Sequence, residues 1–336
     1  MAACFHFLNP FRSGSGGVSP HPVTAESSPR PRLGIALSSG GAKGLAHVGV
    51  IQVLEENGIP IDAIAGTSMG AYVGGLWASG LSGAELEELA ASMSGRRELW
   101  ELVDPAIPRR GFIGGRKVLQ RLRRTLGEKT FAELKTPFHC VATELNGYAR
   151  AVLHEGDVAS AILASLAIPG IVAPVVRDGI EYIDGGVCDP LPVDVLRELP
   201  SIDKVIAVNV LPKVNQTGSF RESAPKYRIW KNPCAFLNQY LNLFARGNLL
   251  DILRGAAMGS QMRLVESSAA HADVLIPAIS PMPRWHDYNN YRDYIALGRD
   301  AAEGMLPQIW ALLEPPEKAG KEEPGLLTSL KKAACV

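Results

Sequence analysis

A serine set between two glycines is the residue of this sequence whose surroundings best suit it to chemistry. It lies in Gly66-Thr67-Ser68-Met69-Gly70, a G-x-S-x-G pattern between a predicted strand and a predicted helix. A serine at a sharp strand-to-helix turn holds its hydroxyl clear of the fold, and the flanking glycines let neighbouring backbone pass without Cβ clashes. The helix start also favours negative charge near that hydroxyl. The pattern predicts that Ser68 is a nucleophile; the alternative is a glycine-rich turn with an incidental serine.

A second glycine-rich segment, residues 38–44 (SSGGAKG), lies between the first predicted strand and the first predicted helix. Consecutive glycines at a helix start leave N–H groups accessible, as needed to hold a phosphate or the oxyanion of a tetrahedral intermediate. The segment is not a P-loop, because Lys43 is followed by Gly44 and Leu45. A dinucleotide site is disfavoured because the acid at the expected distance, Asp62, falls at the start of the second predicted strand. A tight turn that allows close helix packing is the alternative.

An aspartate supplies the third candidate group. Asp184 is followed by Gly185 and Gly186 and comes directly after a predicted strand over 180–183. An acid at the carboxyl end of a strand lies on the edge of an α/β sheet where ligands bind, and the glycines allow close approach. An ordinary Asp-Gly turn is the alternative. With the other two segments, this one indicates a serine nucleophile, a glycine-loop oxyanion hole, and either an aspartate base or an Asp/His pair.

Histidine bears on the choice between those two bases. Of the seven histidines, only His271 and His286 follow Asp184, which is the chain order of an α/β-hydrolase triad. His286 lies in the segment RWHDY, which equally suits the entry loop of a helix. The residues alone therefore leave His286 open as a candidate base.

The elements that must position these groups alternate along the chain. Strands alternating with helices predict an α/β fold with a parallel sheet covered on both faces. The strands are predicted over 33–37, 61–65, 138–142, 151–154, 180–183, 204–210 and 272–277. The helices are predicted over 42–56, 69–78, 84–93, 116–126, 158–166, 193–198, 235–263 and 288–313.

Composition bounds the classes of protein that this sequence can specify. The chain has 336 residues, a formal net charge of zero, 46% hydrophobic and 20% charged residues. A sizeable core is therefore expected, and a nucleic-acid binder, which normally carries a basic excess, is disfavoured. The domain prediction is a disordered arm over 1–32, a catalytic core over 33–197, a continuation of the same domain over 198–313 that includes an insertion and candidate lid at 211–260, and a flexible tail over 314–336.

Targeting and metal signals are weak in this sequence. The five cysteines are scattered, without a CxxC pair or a His/Cys cluster, so we expect neither a disulfide framework nor a metal site. The first residues lack a secretory or lipidation pattern, and no run approaches the roughly 20 apolar residues that cross a bilayer. The default expectation is a cytoplasmic protein. The sequence does not predict an oligomeric state.

Four blocks in a fixed order resemble the patatin-like phospholipase family over about residues 33–197. They are the glycine loop with its basic Lys43, the Ser68 pentapeptide, residues 164–170 (ASLAIPG), and the Asp184 segment. The family's G-x-G-x-x-G loop matches at Gly41 and Gly44, whereas its first glycine is Ser39 in this sequence.

The resemblance implies a three-layer α/β/α patatin-like fold with a mostly parallel central sheet and, for this chain, a helical C-terminal extension. It implies a dyad in which Ser68 is the nucleophile and Asp184 the general base, with neither a histidine nor a cofactor. The developing oxyanion would bind the N–H groups of Gly40, Gly41 and Met69. The residues expected to support these motifs are Lys43, Gly44, Gly66, Gly70, Gly185 and Gly186.

Lipid acyl esters are the substrate class that the resemblance implies: a phospholipid, a lysophospholipid or a glyceride. Residues 109–124 carry seven basic side chains and no acid; a solvated helix face is the ordinary interpretation, and attraction to anionic headgroups at about 1 kcal/mol per charge is the alternative. An aromatic-rich stretch over 227–244 fits either an interfacial lid or packing on the sheet. Peripheral membrane contact therefore stays open. The rival functions are a conventional Ser-Asp-His esterase that uses His286 and a non-catalytic scaffold.

Overall fold

A mixed β-sheet forms the centre of the computed structural model, which describes residues 30–95, 104, 110–213, 249–279 and 287–314. The described residues form eight strands: β1 Leu33–Leu37, β2 Ala63–Thr67, β3 Phe138–Glu144, β4 Arg150–Leu153, β5 Val175–Arg177, β6 Ile180–Asp184, β7 Lys204–Asn209 and β8 Val274–Pro277. Hydrogen-bonded neighbours follow the order β5-β6-β3-β2-β1-β7-β8, and β4 also pairs with β3. The pairs among β3, β2, β1, β7 and β8 are parallel, whereas those that join β3 to β4, β3 to β6 and β5 to β6 are antiparallel.

Helices cover both faces of this sheet. They are α1 Ala46–Glu56, α2 Met69–Ala78, α3 Gly83–Ala91, α4 Arg116–Leu126, α5 Val158–Ser165, α6 Val193–Arg197, α7 Leu249–Ala269 and α8 Tyr291–Leu313. Alternate residues of the central strands face the two layers: Ile35 and Leu37 of β1 join the core formed with α1, α2, α5 and α8, whereas Ala36 joins the core formed with α6 and α7. The three-layer α/β/α fold with a mostly parallel sheet is confirmed.

Several elements differ from the sequence prediction; the helix predicted to end at residue 263, for example, continues to Ala269. Strand β2 is Ala63–Thr67 rather than 61–65, because the Asp62 carboxylate accepts a hydrogen bond from the Leu33 N–H (2.8 Å) just before the strand starts. The first helix begins as a 3₁₀ turn, Gly41–Leu45, before α1. Strand β5 was missed because it is three residues long and lies at an edge of the sheet.

The predictions for the two ends of the chain and for the candidate lid stay predictions. The described part begins at Arg30, whose guanidinium pairs with Asp62 (2.7 Å), so contact with the core starts slightly before the predicted residue 33. Most of 211–260, the aromatic stretch 227–244 and the tail 315–336 lie outside the described residues. Among the helices that the structure does describe, none is long and apolar enough to span a membrane.

Candidate active site

Ser68 stands at a sharp turn between the end of β2 and the first residue of α2. Its backbone has φ 55° and ψ −119°, a conformation that costs a non-glycine residue strain energy. The flanking glycines are required by contact: a β-carbon at Gly66 would lie 2.6 Å from the Gly70 carbonyl oxygen, and one at Gly70 would overlap the carbonyl oxygen of Leu37. The G-x-S-x-G spacing thus reflects the backbone crowding that the turn creates.

The register of the sheet brings Asp184 to this turn. Strand β3 pairs with β4 along one side, at Cys140 through Thr143. On its other side, Val141 pairs with Thr67 of β2, and the next residue, Ala142, pairs with Asp184 of β6. Strand β6 therefore continues the position beside β3 that β2 leaves at the elbow, and the carboxyl ends of β2 and β6 meet head to head.

The Ser68 hydroxyl donates a hydrogen bond to Asp184 Oδ2 at 2.6 Å. The other carboxylate oxygen, Oδ1, accepts the N–H of Gly186 at 2.7 Å. Both members of the pair are 5% exposed. Burial disfavours the charged carboxylate and raises the pKa of Asp184 to about 6, although the hydrogen bonds from Ser68 and Gly186 oppose that shift.

The glycine loop lies against the start of α2. A β-carbon at Gly44 would overlap the side chain of Met69, so the loop and the residue after the nucleophile are in van der Waals contact. Gly41 has φ 59°, in the left-handed region that favours glycine, and Lys43 is 4% exposed within the 3₁₀ turn. The N–H of Met69 is one of the first helical donors without an intrahelical acceptor. The oxyanion hole of Gly40, Gly41 and Met69 remains a prediction.

Two buried polar side chains, one within this loop and one in α1 beside it, had no predicted role. His47 of α1 is fully buried, and its Nε2 lies 2.9 Å from the Ser38 carbonyl oxygen, which requires the Nε2–H tautomer. Burial lowers the pKa of His47 to about 4, so the ring is neutral at physiological pH. Ser39 is 3% exposed, and its hydroxyl has no hydrogen-bond partner among the described residues. An i to i−9 contact from a helix has no local signal in the sequence.

The C-terminal part of the chain also reaches the site. A β-carbon at Gly186 would lie 2.8 Å from Gln261 Nε2 of α7 and 2.9 Å from Asp184 Oδ1. The Gln261 amide is therefore next to the dyad, although the four sequence blocks end before residue 200. Sequence reasoning missed Gln261 because α7 is separated from the motifs by a long stretch of chain.

The candidate histidines have different outcomes. His271 Nδ1 lies 2.7 Å from Asp194 Oδ1 at the surface, so this ring is engaged by α6 rather than by Asp184. His286 lies outside the described residues, and its role as a base is untested. Across the ranges that the structure describes, there is no group of three or more His, Cys, Asp and Glu side chains arranged to hold a metal ion.

The basic segment of the sequence forms α4 and the turn before it, apart from Arg109, which lies outside the described residues. Three of its side chains pair with acids: Arg110 with Glu181 (2.6 Å), Arg116 with Asp104 (3.5 Å) and Arg123 with Asp157 (3.4 Å). Leu122 and Leu126 are the buried residues of α4, whereas Lys117 and Arg124 are exposed. The basic residues of this segment therefore lie together, but ion pairs neutralise part of their charge.

The fold and the site together define a class of protein: a three-layer α/β/α domain in which a serine at a strand-to-helix turn is hydrogen-bonded to a buried aspartate. Residues 35–197 match the family model described as patatin-like phospholipase. Residues 35–197 are therefore a patatin-like phospholipase domain.

Relatives agree with this assignment. An uncharacterized NTE family protein of Mycobacterium tuberculosis is 38% identical over 209 residues, which cover 62% of this chain and 56% of that protein. The lysophospholipase nte1 of Aspergillus fumigatus is 31% identical over 196 residues, which cover 58% of this chain and 12% of the relative. This chain thus matches about half, or much less, of the length of these curated relatives. The crystal structure of VipD from Legionella pneumophila matches with a TM-score of 0.43 and 16% identity over 84% of this chain and 67% of the VipD chain.

Proposed function

We propose that this protein hydrolyses acyl esters of lipids through a Ser68/Asp184 dyad and an acyl-enzyme intermediate. The observation that carries the proposal is the 2.6 Å hydrogen bond between the strained elbow serine and the buried carboxylate. The match of residues 35–197 to the patatin-like phospholipase model supports the reaction class.

In the acylation step, Ser68 Oγ attacks the ester carbonyl carbon while Asp184 Oδ2 takes the hydroxyl proton. A new Oγ–C bond forms, and the carbonyl electron pair moves to oxygen. When the tetrahedral intermediate collapses, the C–O bond to the alcohol breaks and the proton on Asp184 passes to the departing oxygen. The pKa of Asp184, near 6 because of burial, suits both directions of this transfer better than the pKa of an exposed aspartate.

In the deacylation step, a water molecule replaces the alcohol. Asp184 takes one proton from the water as its oxygen attacks the acyl carbon, and the acyl–Oγ bond then breaks. The proton returns from Asp184 to Ser68 Oγ, which restores the resting dyad and releases a carboxylic acid. Every proton transfer runs through Oδ2, so Oδ1 can keep its hydrogen bond to Gly186 throughout.

The negative charge of each tetrahedral intermediate needs donors near the attacked carbonyl. We assign this role to the N–H groups of Gly40, Gly41 and Met69, because the glycine loop packs against Met69 and α2 directs its unpaired first donors toward the elbow. Loss of one such donor typically slows hydrolysis by roughly 10²-fold or more.

The substrate class that we propose is a lipid with an ester-linked acyl chain. The similar protein of Aspergillus fumigatus carries the name lysophospholipase, which makes a lysophospholipid the first substrate to test. We further propose that α4 contacts anionic membrane surfaces, since Lys117 and Arg124 are exposed on one helix.

Two rival functions predict different outcomes. A conventional triad would need His286, so a His286→Ala variant would lose hydrolysis; the dyad predicts that it retains it. A non-catalytic scaffold would leave Ser68 unreactive toward a fluorophosphonate probe, whereas a dyad serine would be labelled.

The deciding experiment is a panel of acyl esters, including lysophosphatidylcholine, a diacyl phospholipid and a monoglyceride. Wild-type protein is assayed beside Ser68→Ala and Asp184→Asn, with circular dichroism to show that each variant is folded. We expect both variants to lose hydrolysis. Full activity in folded Asp184→Asn would contradict the dyad, and no hydrolysis or labelling of the wild type would contradict the enzymatic function.

A further inference from the structure

One block of the family resemblance, residues 164–170, has no part in the mechanism above. In the structure, the end of helix α5 within this block contacts both members of the dyad. The Ser68 N–H donates to the Ser165 hydroxyl at 2.8 Å, and that hydroxyl donates to the Val141 carbonyl oxygen at 2.5 Å. Two residues later, the Ala167 carbonyl accepts the N–H of Asp184 at 2.9 Å.

We propose that Ser165 is a positioning residue, whose hydroxyl fixes the backbone of Ser68 against β3 and so sets the distance between Ser68 Oγ and Asp184. The inference rests on the proposed function, because it concerns how the dyad of that function is held. Ser165 is fully buried and touches the nucleophile through its backbone, so it acts through Ser68 rather than on the substrate.

The need for this contact follows from the elbow itself. At Ser68, where φ is 55°, the chain leaves the extended conformation of β2. The last residue of β3 that pairs with β2 is Val141, and from Ala142 onward β3 pairs with β6 instead. At this point the Ser165 hydroxyl connects the backbone of the elbow to that of β3, since it accepts from the Ser68 N–H and donates to the Val141 carbonyl oxygen. A hydroxyl group suits this position because its single oxygen both donates and accepts a hydrogen bond.

The same helix end also holds the general base. Because Ser165 binds the backbone of Ser68 and Ala167 binds the backbone of Asp184, three successive residues connect the two halves of the dyad. Helix α5 is held in place at its start and along its length: its N-cap Asp157 accepts the Ser160 N–H at 3.0 Å, and its apolar residues are buried in the core. The separation of nucleophile and base is thus set by one rigid segment.

The test compares Ser165→Ala with Ser79→Ala. Ser79 is an equally matched control, because its hydroxyl is also buried and donates to a backbone carbonyl, that of Leu76, at 2.6 Å. The substrate is a soluble acyl ester. The concentration of active enzyme is taken from the amount of Ser68 that finally reacts with a fluorophosphonate, so that unfolded protein does not lower the measured kcat. For Ser165→Ala we expect kcat and the labelling rate to fall by about 10²-fold with KM nearly unchanged, since a misplacement of about 1 Å carries such a cost. For Ser79→Ala we expect both rates to stay within about threefold of wild type.

Several outcomes would overturn the inference while leaving the proposed function intact. These are a kcat for Ser165→Ala within threefold of wild type, an equal loss in Ser79→Ala, or a rise in KM alone. A Ser165→Cys variant should lie between wild type and Ser165→Ala, because a thiol is a weak donor and acceptor; a slower Cys variant would indicate side-chain volume and would overturn the inference too. Wild-type protein that neither hydrolyses the ester nor reacts at Ser68 would instead overturn the proposed function.

Discussion

At the scale of the residue, the buried carboxyl group of Asp184 determines when the proposed dyad can work. A general base must be ionised, and burial raises the pKa of this group to about 6. His47, which contacts the glycine loop at Ser38, does not titrate in the same range, because burial lowers its pKa to about 4. A rate change near pH 6 can therefore be attributed to Asp184 rather than to this histidine.

We accordingly predict an acid limb in the pH profile of kcat for a soluble acyl ester. The rate should be half its plateau near pH 6 and fall about tenfold for each pH unit below it, since the protonated carboxyl cannot accept the Ser68 proton. Stopped assays from pH 4.5 to 8.5 would measure this, with circular dichroism at each pH as the control for unfolding. A plateau that extends unchanged down to pH 4.5 in folded protein would show that Asp184 is not the base.

At the scale of the element, the site depends on helix α1, and two glycines let α1 pack closely against the C-terminal helix α8. A β-carbon at Gly298 would overlap the carbonyl oxygen of Ala46, and one at Gly49 would overlap that of Ile295. Since α1 follows the glycine loop directly and carries His47, the position of α8 bears on the site. The two helices approach so closely because neither has a side chain at the crossing.

We therefore predict opposite effects from two glycine-to-alanine changes in α8. Gly298→Ala should lower the free energy of unfolding by about 2 kcal/mol or more, because its β-carbon can be accommodated only by moving backbone. Gly304→Ala, six positions along the same helix, should raise the free energy of unfolding by roughly 0.5 to 1 kcal/mol, since that position is open and alanine favours helix. Urea denaturation of both variants would measure this difference, and equal stabilities would refute the close contact.

At the scale of the whole molecule, a net charge of zero conceals an uneven distribution. The basic side chains of α4 lie together, although Asp104, Asp157 and Glu181 pair with three of the basic residues in and before that helix. Ion pairing of this kind weakens the field that reaches solvent, and salt screens the rest beyond about 10 Å. Lys117 and Arg124 of this helix are exposed, so both side chains are accessible to a membrane surface.

We predict that the double variant Lys117→Glu/Arg124→Glu binds vesicles containing anionic phospholipid at least about tenfold more weakly than wild type, because each basic residue contributes about 1 kcal/mol near such a surface. Flotation at low salt would measure binding. The matched control is Lys135→Glu/Arg292→Glu, the same charge change at exposed positions on other parts of the molecule. An equal loss in the control, or no binding by wild type, would contradict a membrane-facing role for α4.

Features that depend on neighbouring residues could be predicted from the sequence. The glycines around Ser68 are the local requirement of a strained turn, and most helices and strands, α4 and α2 among them, begin and end within a few residues of their predicted bounds. Alternating strands and helices then restricted the fold to an α/β sandwich, because few topologies bury both faces of such a sheet.

Contacts between groups that are distant in the sequence could not be predicted in this way, because they depend on how the elements pack. Ser68 and Asp184 are 116 positions apart, and they touch because β6 continues beside β3 where β2 ends. Ser165, whose block gave no role for its hydroxyl, and Gln261, which lies outside every block, reach the site by the same kind of packing. Local strain and capping are encoded by adjacent residues, whereas contacts across the chain result from the packing of all elements together, and the raised pKa of Asp184 follows from the burial that this packing produces.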